Sequence, residues 1–101
     1  MFEIRFNESG RIVVAGRLDA AQAPRAQEFL DRVPERCVID MSRLEYISSA
    51  GLGVLLRTHK RLMESGQGVK MVNVGSHIYD IFTYSGFDRL FEIETADSAD
   101  G

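Results

Sequence analysis

Two adjacent hydroxyls, Ser48 and Ser49, occupy the predicted start of a helix and are the side chains of this chain best placed for chemistry. A short apolar segment, residues 37–40, precedes them as a predicted strand, and a long amphipathic segment follows them. A serine at this position can cap the helix by accepting a hydrogen bond from a free backbone N–H. The other interpretation is a hydroxyl presented to an enzyme that phosphorylates it.

Two glycines, Gly51 and Gly53, follow the serines within the opening turns of the same predicted helix. Each glycine inside a helix costs about 1 kcal/mol relative to alanine. The pair therefore indicates that something approaches the helix backbone closely. Either the sheet beneath the helix or a partner protein docked on its surface would explain the two glycines.

A phosphate on Ser49 would add about −1.5 to −2 charges at the amino end of the helix. The free N–H groups and the helix dipole favour negative charge at that end. We therefore expect the helix to survive the modification. The phosphate would act on whatever binds across this surface, through its bulk and its charge.

Other polar side chains give little support for an enzyme or a metal site. A metal site needs three or four convergent ligands, and the two histidines are 18 residues apart without a neighbouring cysteine pair. Carboxylates at the ends of strands and helices are commonly caps. We interpret these groups as structural and expect no cofactor, no metal and no catalytic activity: Cys37, His59, His77, Asp19, Asp40 and Asp88.

The composition predicts one soluble domain. The chain has 101 residues, of which 45% are hydrophobic and 27% are charged, with a net charge of −3. An acidic balance gives no electrostatic basis for binding nucleic acid, and no apolar run approaches the roughly 20 residues of a membrane span. A single cysteine excludes an internal disulfide and favours the reducing cytoplasm. No long exposed apolar patch is evident, so we expect a monomer.

The hydrophobic pattern predicts an α/β fold with a mixed sheet. Alternation over residues 2–6 and a β-branched segment at residues 11–15 predict a hairpin. After it, apolar strands alternate with amphipathic helices, which gives the order β-β-α-β-α-β-α-β. The predicted helices lie at about residues 22–33, 50–64 and 77–85, the later strands at 37–40, 69–74 and 90–93, and residues 41–47 are a connection. We expect a single domain over residues 1–95 and a disordered tail over residues 96–101.

Three segments resemble the STAS domain of bacterial anti-sigma-factor antagonists. They are Gly-Arg-Leu-Asp at residues 16–19, Val-Ile-Asp-Met-Ser at residues 38–42 and, most specific, Ser-Ser-Ala-Gly-Leu-Gly-Val-Leu-Leu at residues 48–56. The likeness extends over nearly the whole chain. It implies that Ser49, two positions before the glycine, is the phosphoacceptor. The preceding position is often aspartate in the family, whereas Ser48 can cap the helix but supplies no charge.

The resemblance implies a partner-switching function without catalysis. The unmodified protein would bind an anti-sigma factor that is also a serine kinase of the histidine-kinase-like ATPase fold, and so release the sigma factor. Phosphorylation of Ser49 would end that binding, and a PP2C-type phosphatase would restore it. The docking face implied by the family lies at the start of the second helix: Asp19, Ser48, Ser49, Ala50, Gly51, Leu52 and Gly53.

The helical pattern suggests an extension of this docking face along the exposed side of the second helix. That side is predicted to carry Val54, Arg57 and Arg61. A simple solvated basic face is the alternative interpretation.

Three alternatives remain open at this point, one of which is that the same kinase controls an output other than transcription, such as secretion or motility. Some STAS-like proteins of similar size are constitutive subunits bound to the ATPase of an ABC lipid-transport complex, and that function needs no phosphate. A cytoplasmic domain of an anion transporter is less favoured because the 101 residues include no membrane segment.

Overall fold

The computed structural model describes residues 1–96. In chain order the elements are β1 (Phe2–Phe6), β2 (Ile12–Leu18), α1 (Ala23–Asp31), β3 (Cys37–Ile47), α2 (Ser49–Met63), β4 (Val69–Val74), α3 (Ser76–Ser85), a short 3₁₀ turn (Phe87–Arg89) and β5 (Glu92–Thr95). This order confirms the predicted one. The expected tail at residues 96–101 falls outside the described residues except for its first position. In the described part of the chain, every helix is too short or too polar to cross a membrane.

The strands form one five-stranded mixed sheet in the spatial order β1-β2-β3-β4-β5. The hairpin of β1 and β2 is antiparallel, whereas β2, β3, β4 and β5 are parallel to one another. Each helix connects two neighbouring parallel strands, as a crossover connection must. The amino ends of the helices therefore follow the carboxyl ends of the strands, at one edge of the sheet.

A single apolar core joins the three helices to one face of the sheet. The strands contribute Ile12, Val14, Ile39 and Met71 to it, and α3 contributes Phe82. The opposite face of the sheet carries charged side chains. On that face Lys70 Nζ lies 2.7 Å from Glu94 Oε2 and 3.5 Å from Glu92 Oε2. The two faces therefore differ in chemistry as expected for a sheet with helices on one side.

The third strand is longer than the sequence pattern predicted. Residues 41–47 were expected to be a connection, but β3 continues through them to Ile47. Its first residues pair with β4, and its last residues pair with β2, where Leu44 lies opposite Gly16. The register with β2 shifts twice. These irregularities break the alternation of apolar and polar side chains, which is why the pattern was typical of a loop.

The last strand also begins later than predicted. Leu90 and Phe91 were assigned to it, but the strand starts at Glu92. The two residues follow the 3₁₀ turn, where Phe91 is buried against Phe87, with 5.4 Å between ring centroids. An apolar pair that closes a turn gives the same short hydrophobic signal as a short strand.

The extension of β3 brings two distant segments together at the carboxyl edge of the sheet. Leu18, the last residue of β2, pairs with Ile47, the last residue of β3. The next residue, Ser48, donates its backbone N–H to Leu18 O at 2.9 Å. Asp19 and Ser48 therefore leave the sheet side by side, and the starts of α1 and α2 lie next to each other.

Candidate docking and modification site

Ser48 is the N-cap of α2. Its backbone is extended, with φ −89° and ψ 173°, and its Oγ accepts a hydrogen bond from the Gly51 N–H at 3.2 Å. This is the geometry in which a serine satisfies one of the free N–H groups of a helix. The prediction that one of the two serines caps the helix is confirmed, and Ser48 is that serine.

Ser49 is the first residue of α2 and is exposed to solvent. Its hydroxyl makes no hydrogen bond to another residue of the described chain. The two adjacent serines therefore differ in role, since one is engaged by the helix and the other is open. The accessibility that a phosphoacceptor requires is present at Ser49.

Gly51 lies against the sheet. A β-carbon at this position would be 2.8 Å from Ile47 Cγ1, 2.8 Å from Leu18 Cγ and 2.9 Å from Leu18 O. Real β-carbons do not approach other atoms so closely. Of the two explanations left open for the glycines, close packing of the helix on the sheet holds for Gly51.

Gly53 faces a groove rather than the sheet. The three atoms nearest to a β-carbon here would all belong to the guanidinium of Arg57, with Nη1 at 3.3 Å. The groove, of about 430 Å³, lies between the amino-terminal halves of α1 and α2, and we call it the α1–α2 groove. Its lining is mostly small: Ala20, Ala23, Pro24, Gln27, Ser49, Ala50, Gly53 and Arg57. Gly53 therefore keeps open a concave surface that adjoins the exposed serine.

Arg57 places a positive charge at this groove. Its side chain is exposed, and its Nε donates to Gln27 Oε1 at 2.9 Å. Gln27 is held in turn by a hydrogen bond from its Nε2 to Asp31 Oδ1, also at 2.9 Å. Among residues 1–96 no carboxylate forms an ion pair with Arg57. The guanidinium is thus oriented by a neutral amide and keeps its charge available.

Two residues predicted for the exposed side of α2 do not lie there. Val54 has 0% exposure, because its side of the helix packs into the core. Arg61 is half-buried, and its Nη2 donates to Leu30 O at 2.8 Å and to Val33 O at 3.0 Å. Arg61 therefore ties α2 to the carboxyl end of α1. The predicted exposure of Val54 and Arg61 is wrong, whereas that of Arg57 is confirmed.

Asp19 is half-buried at the turn that leads into α1. Its Oδ1 accepts from the Gln22 N–H at 3.1 Å, and its backbone oxygen accepts from the Ala23 N–H at 3.0 Å. The carboxylate thus stabilises the start of α1, as short polar side chains do at helix entries. Leu52, also predicted for the docking face, is only 9% exposed. The surface at the start of α2 is therefore made by Asp19, Ser48, Ser49, Ala50 and Gly53, with Arg57 beyond them.

The α1 side of this groove was not predicted from the sequence. Ala20, Ala23, Pro24 and Gln27 line it. The available signal was the run of small residues before and within the first turn of that helix, Ala-Ala-Gln-Ala-Pro at residues 20–24. Such a run is uninformative until the packing of the two helices is known.

The remaining titratable candidates have structural surroundings. His59 Nδ1 accepts the Val69 N–H at 3.1 Å, its ring packs edge-on against Phe91, and burial lowers its pKa.

Cys37 is 1% exposed, and burial raises its thiol pKa to about 12. Burial would raise the pKa of Asp40, but hydrogen bonds from Ser42 and Asn73 outweigh it and hold that pKa below its usual value. Within residues 1–96 no three histidine, cysteine or acidic side chains are grouped to hold a metal ion.

Comparison with known proteins places this chain in a family. Residues 3–93 match the family model described as "Mlab, STAS domain". The chain belongs to the STAS domain family, as the sequence motifs indicated.

Individual relatives agree with this assignment. BtrV of Bordetella bronchiseptica is 34% identical over 88 residues, which cover 83% of this chain and 76% of BtrV. The anti-sigma-B factor antagonist of Listeria monocytogenes is 30% identical over 90 residues, covering 85% and 79%. The structure of the Bacillus cell fate determinant SpoIIAA in its phosphorylated form aligns with a TM-score of 0.65 over 98% of this chain and 96% of SpoIIAA, at 18% identity. This last similarity establishes the shared fold.

Proposed function

We propose that this protein is an anti-sigma factor antagonist whose binding is controlled by phosphorylation of Ser49. The observation that carries the proposal is that the two serines differ in structural role. Ser48 caps α2, while Ser49 is exposed beside the α1–α2 groove. The names of relatives support the class of partner, since one of them is an anti-sigma-B factor antagonist. SpoIIAA, which shares the fold, has been solved in a phosphorylated form.

In the proposed cycle the protein is a binding module and a substrate. The unmodified chain binds an anti-sigma factor that is also a serine kinase of the histidine-kinase-like ATPase fold, and the sigma factor is released. The kinase then transfers the γ-phosphoryl group of ATP to Ser49 Oγ, so that ADP leaves and the serine proton passes to a base of the kinase. A PP2C-type phosphatase hydrolyses the phosphoserine and restores the binding form. The protein acts as a monomer in the cytoplasm.

The geometry at the start of α2 favours an effect on the interface rather than on the fold. Ser48 already satisfies the Gly51 N–H, and Ser49 projects to solvent from the first turn. A phosphate there meets the positive end of the helix dipole, which accommodates its charge. An interface that opposed the phosphate by about 2.7 kcal/mol would lose a hundredfold in affinity. One unpaired phosphate enclosed in an interface is sufficient for such a loss.

The test uses the purified anti-sigma factor kinase with ATP and two matched variants, Ser49→Ala and Ser48→Ala. We expect Ser49→Ala to abolish phosphate incorporation while binding is retained. Ser48→Ala should still be phosphorylated, although loss of the cap should lower stability by about 1 kcal/mol. Undiminished phosphorylation of Ser49→Ala would show that the acceptor is another residue.

The same reagents separate this proposal from a constitutive subunit of an ABC lipid-transport complex. If the protein is isolated from its own cells together with an ABC ATPase, and if this ATPase binds the wild type and Ser49→Asp equally, the constitutive-subunit function replaces the proposed one. Association with a kinase, lost in the phosphorylated protein, would support it.

A further inference from the structure

We propose that the α1–α2 groove receives an apolar side chain of the anti-sigma factor and that Arg57 pairs with a carboxylate next to it on that partner. The proposal rests on the proposed function and deepens it. It extends the docking surface from the start of α2 to α1, and it specifies the chemistry of the partner's contact residues.

The shape of the groove favours an apolar occupant. Small residues make up most of its lining, among them Ala23, Pro24 and Ala50. At Gly53 the absence of a β-carbon leaves room for the Arg57 guanidinium at the groove, and any larger residue would place a β-carbon within about 3.3 Å of Arg57 Nη1. Concave sites with small apolar linings and a few polar groups at the rim are typical positions for an anchoring side chain.

The charge at the rim favours an anion beside that side chain. Arg57 uses its Nε for Gln27, and among the described residues its two terminal nitrogens have no partner. Among the cations of residues 1–96 only Arg5, Arg36 and Lys70 lie within 4 Å of a carboxylate of the described chain. Arg57 shares its lack of an ion pair with the other cations and differs from them in lining the groove. A planar guanidinium with two free terminal nitrogens can donate one N–H from each to the two oxygens of a carboxylate, in a bidentate arrangement. The exposed end of Arg57 is therefore complementary to an acidic residue of the partner.

The position of Ser49 gives the groove a means of control. Ser49 lines the same groove, one helical turn before Gly53, over which the Arg57 guanidinium lies. A phosphate on Ser49 would place negative charge where the partner's carboxylate approaches, and it would offer Arg57 an anion from its own chain. The phosphate would then repel the carboxylate of the partner and at the same time pair with Arg57, the cation that this carboxylate would otherwise contact.

The first experiment measures the affinity of the purified anti-sigma factor for Gly53→Ala, Arg57→Gln and the control Lys60→Gln by calorimetric titration. Lys60 is an exposed cation of the same helix outside the groove. We expect at least a tenfold loss for Arg57→Gln and for Gly53→Ala, and no loss for Lys60→Gln. Gly53→Ala should at the same time raise the thermal midpoint, so weaker binding by a more stable protein excludes misfolding as the cause. The affinity of Arg57→Gln should also depend less on salt than that of the wild type.

A second measurement locates the partner directly. A photo-crosslinking residue at Ala20, which lines the groove, should capture the anti-sigma factor, whereas the same residue at its exposed neighbour Ala21 should capture less. Full affinity of both groove variants for the anti-sigma factor overturns the groove proposal and leaves the proposed function intact. Failure of the wild-type protein to bind any anti-sigma factor of its own cell overturns both.

Discussion

Gly51 and Leu18 lie so close that a β-carbon on Gly51 would come within 2.8 Å of Leu18 Cγ. We predict that Gly51→Ala destabilises the protein by about 1–3 kcal/mol, the usual cost of forcing an extra carbon into a packed core. The better helix propensity of alanine cannot compensate for this overlap. Chemical denaturation of the variant and the wild type measures the difference.

Gly53→Ala is the matched control, since it makes the same change two residues further along α2. The atoms nearest to its β-carbon would be those at the flexible end of Arg57, at 3.3 Å and beyond. We expect this variant to gain up to about 1 kcal/mol from helix propensity. Equal effects of the two substitutions would contradict the assignment of Gly51 to packing and of Gly53 to the groove.

His59 should make the stability of the protein sensitive to mild acid. Its Nδ1 accepts the Val69 N–H and must be unprotonated to do so, and burial lowers its pKa below 6.5. A base with a lowered folded-state pKa contributes stability above the unfolded pKa, and this contribution is lost as the pH falls through the folded value. We therefore predict a lower free energy of unfolding at pH 5 than at pH 7.5, part of which depends on His59.

The variant His59→Gln should lose that part of the pH dependence, because glutamine accepts a hydrogen bond without titrating. His77→Gln is the control, since His77 is exposed at the start of α3. Denaturation curves at several pH values compare the three proteins. A profile of His59→Gln that parallels the wild type would show that His59 is not responsible.

Arg61 should contribute to stability rather than to binding. Its guanidinium donates to two backbone carbonyls at the carboxyl end of α1, Leu30 O and Val33 O. Replacement by methionine keeps the apolar stem but leaves these carbonyls without their charged donor, for which we expect a loss of about 1–3 kcal/mol. Lys60→Met is the control on the exposed face. Loss of affinity for the anti-sigma factor at unchanged stability would contradict this role.

Arg57 should lower the second pKa of a phosphate on Ser49. Phosphoserine incorporated directly at this position requires no kinase, and the second pKa of its phosphate, ordinarily about 6, can be followed by ³¹P NMR. A nearby guanidinium favours the dianion and lowers that pKa. We predict that Arg57→Gln raises it by about 0.5, which corresponds to about 0.7 kcal/mol. An identical titration in Arg57→Gln and in Lys60→Gln would show that Arg57 does not contact the phosphate.

The order of elements and the start of α2 were predictable because local signals carried them. Alternation of apolar and polar residues indicated β1, and helical spacing indicated α2. The adjacent serines at residues 48 and 49 indicated a helix cap. The extent of β3 was not predictable, since its last residues pair with β2 across two register shifts that erase the period of two.

The surroundings of α2 depended on distant packing and could not be predicted. Helical spacing placed Val54 and Arg61 on the same side of α2 as the exposed Arg57, and only contact with the core and with α1 shows that they are not exposed. The α1–α2 groove belongs to two helices whose facing residues are about 30 positions apart, such as Gln27 and Arg57. No local pattern connects such positions.

The cap made by Ser48 has a consequence for how a signal could be stored. Because Ser48 already caps α2 through the Gly51 N–H, we expect a phosphate on the next residue to require no rearrangement of the backbone. The marked and unmarked proteins would then have the same shape and differ only in surface charge. Such a protein would carry the signal as surface charge alone. Any conformational change in the switch would then occur in the proteins that bind it.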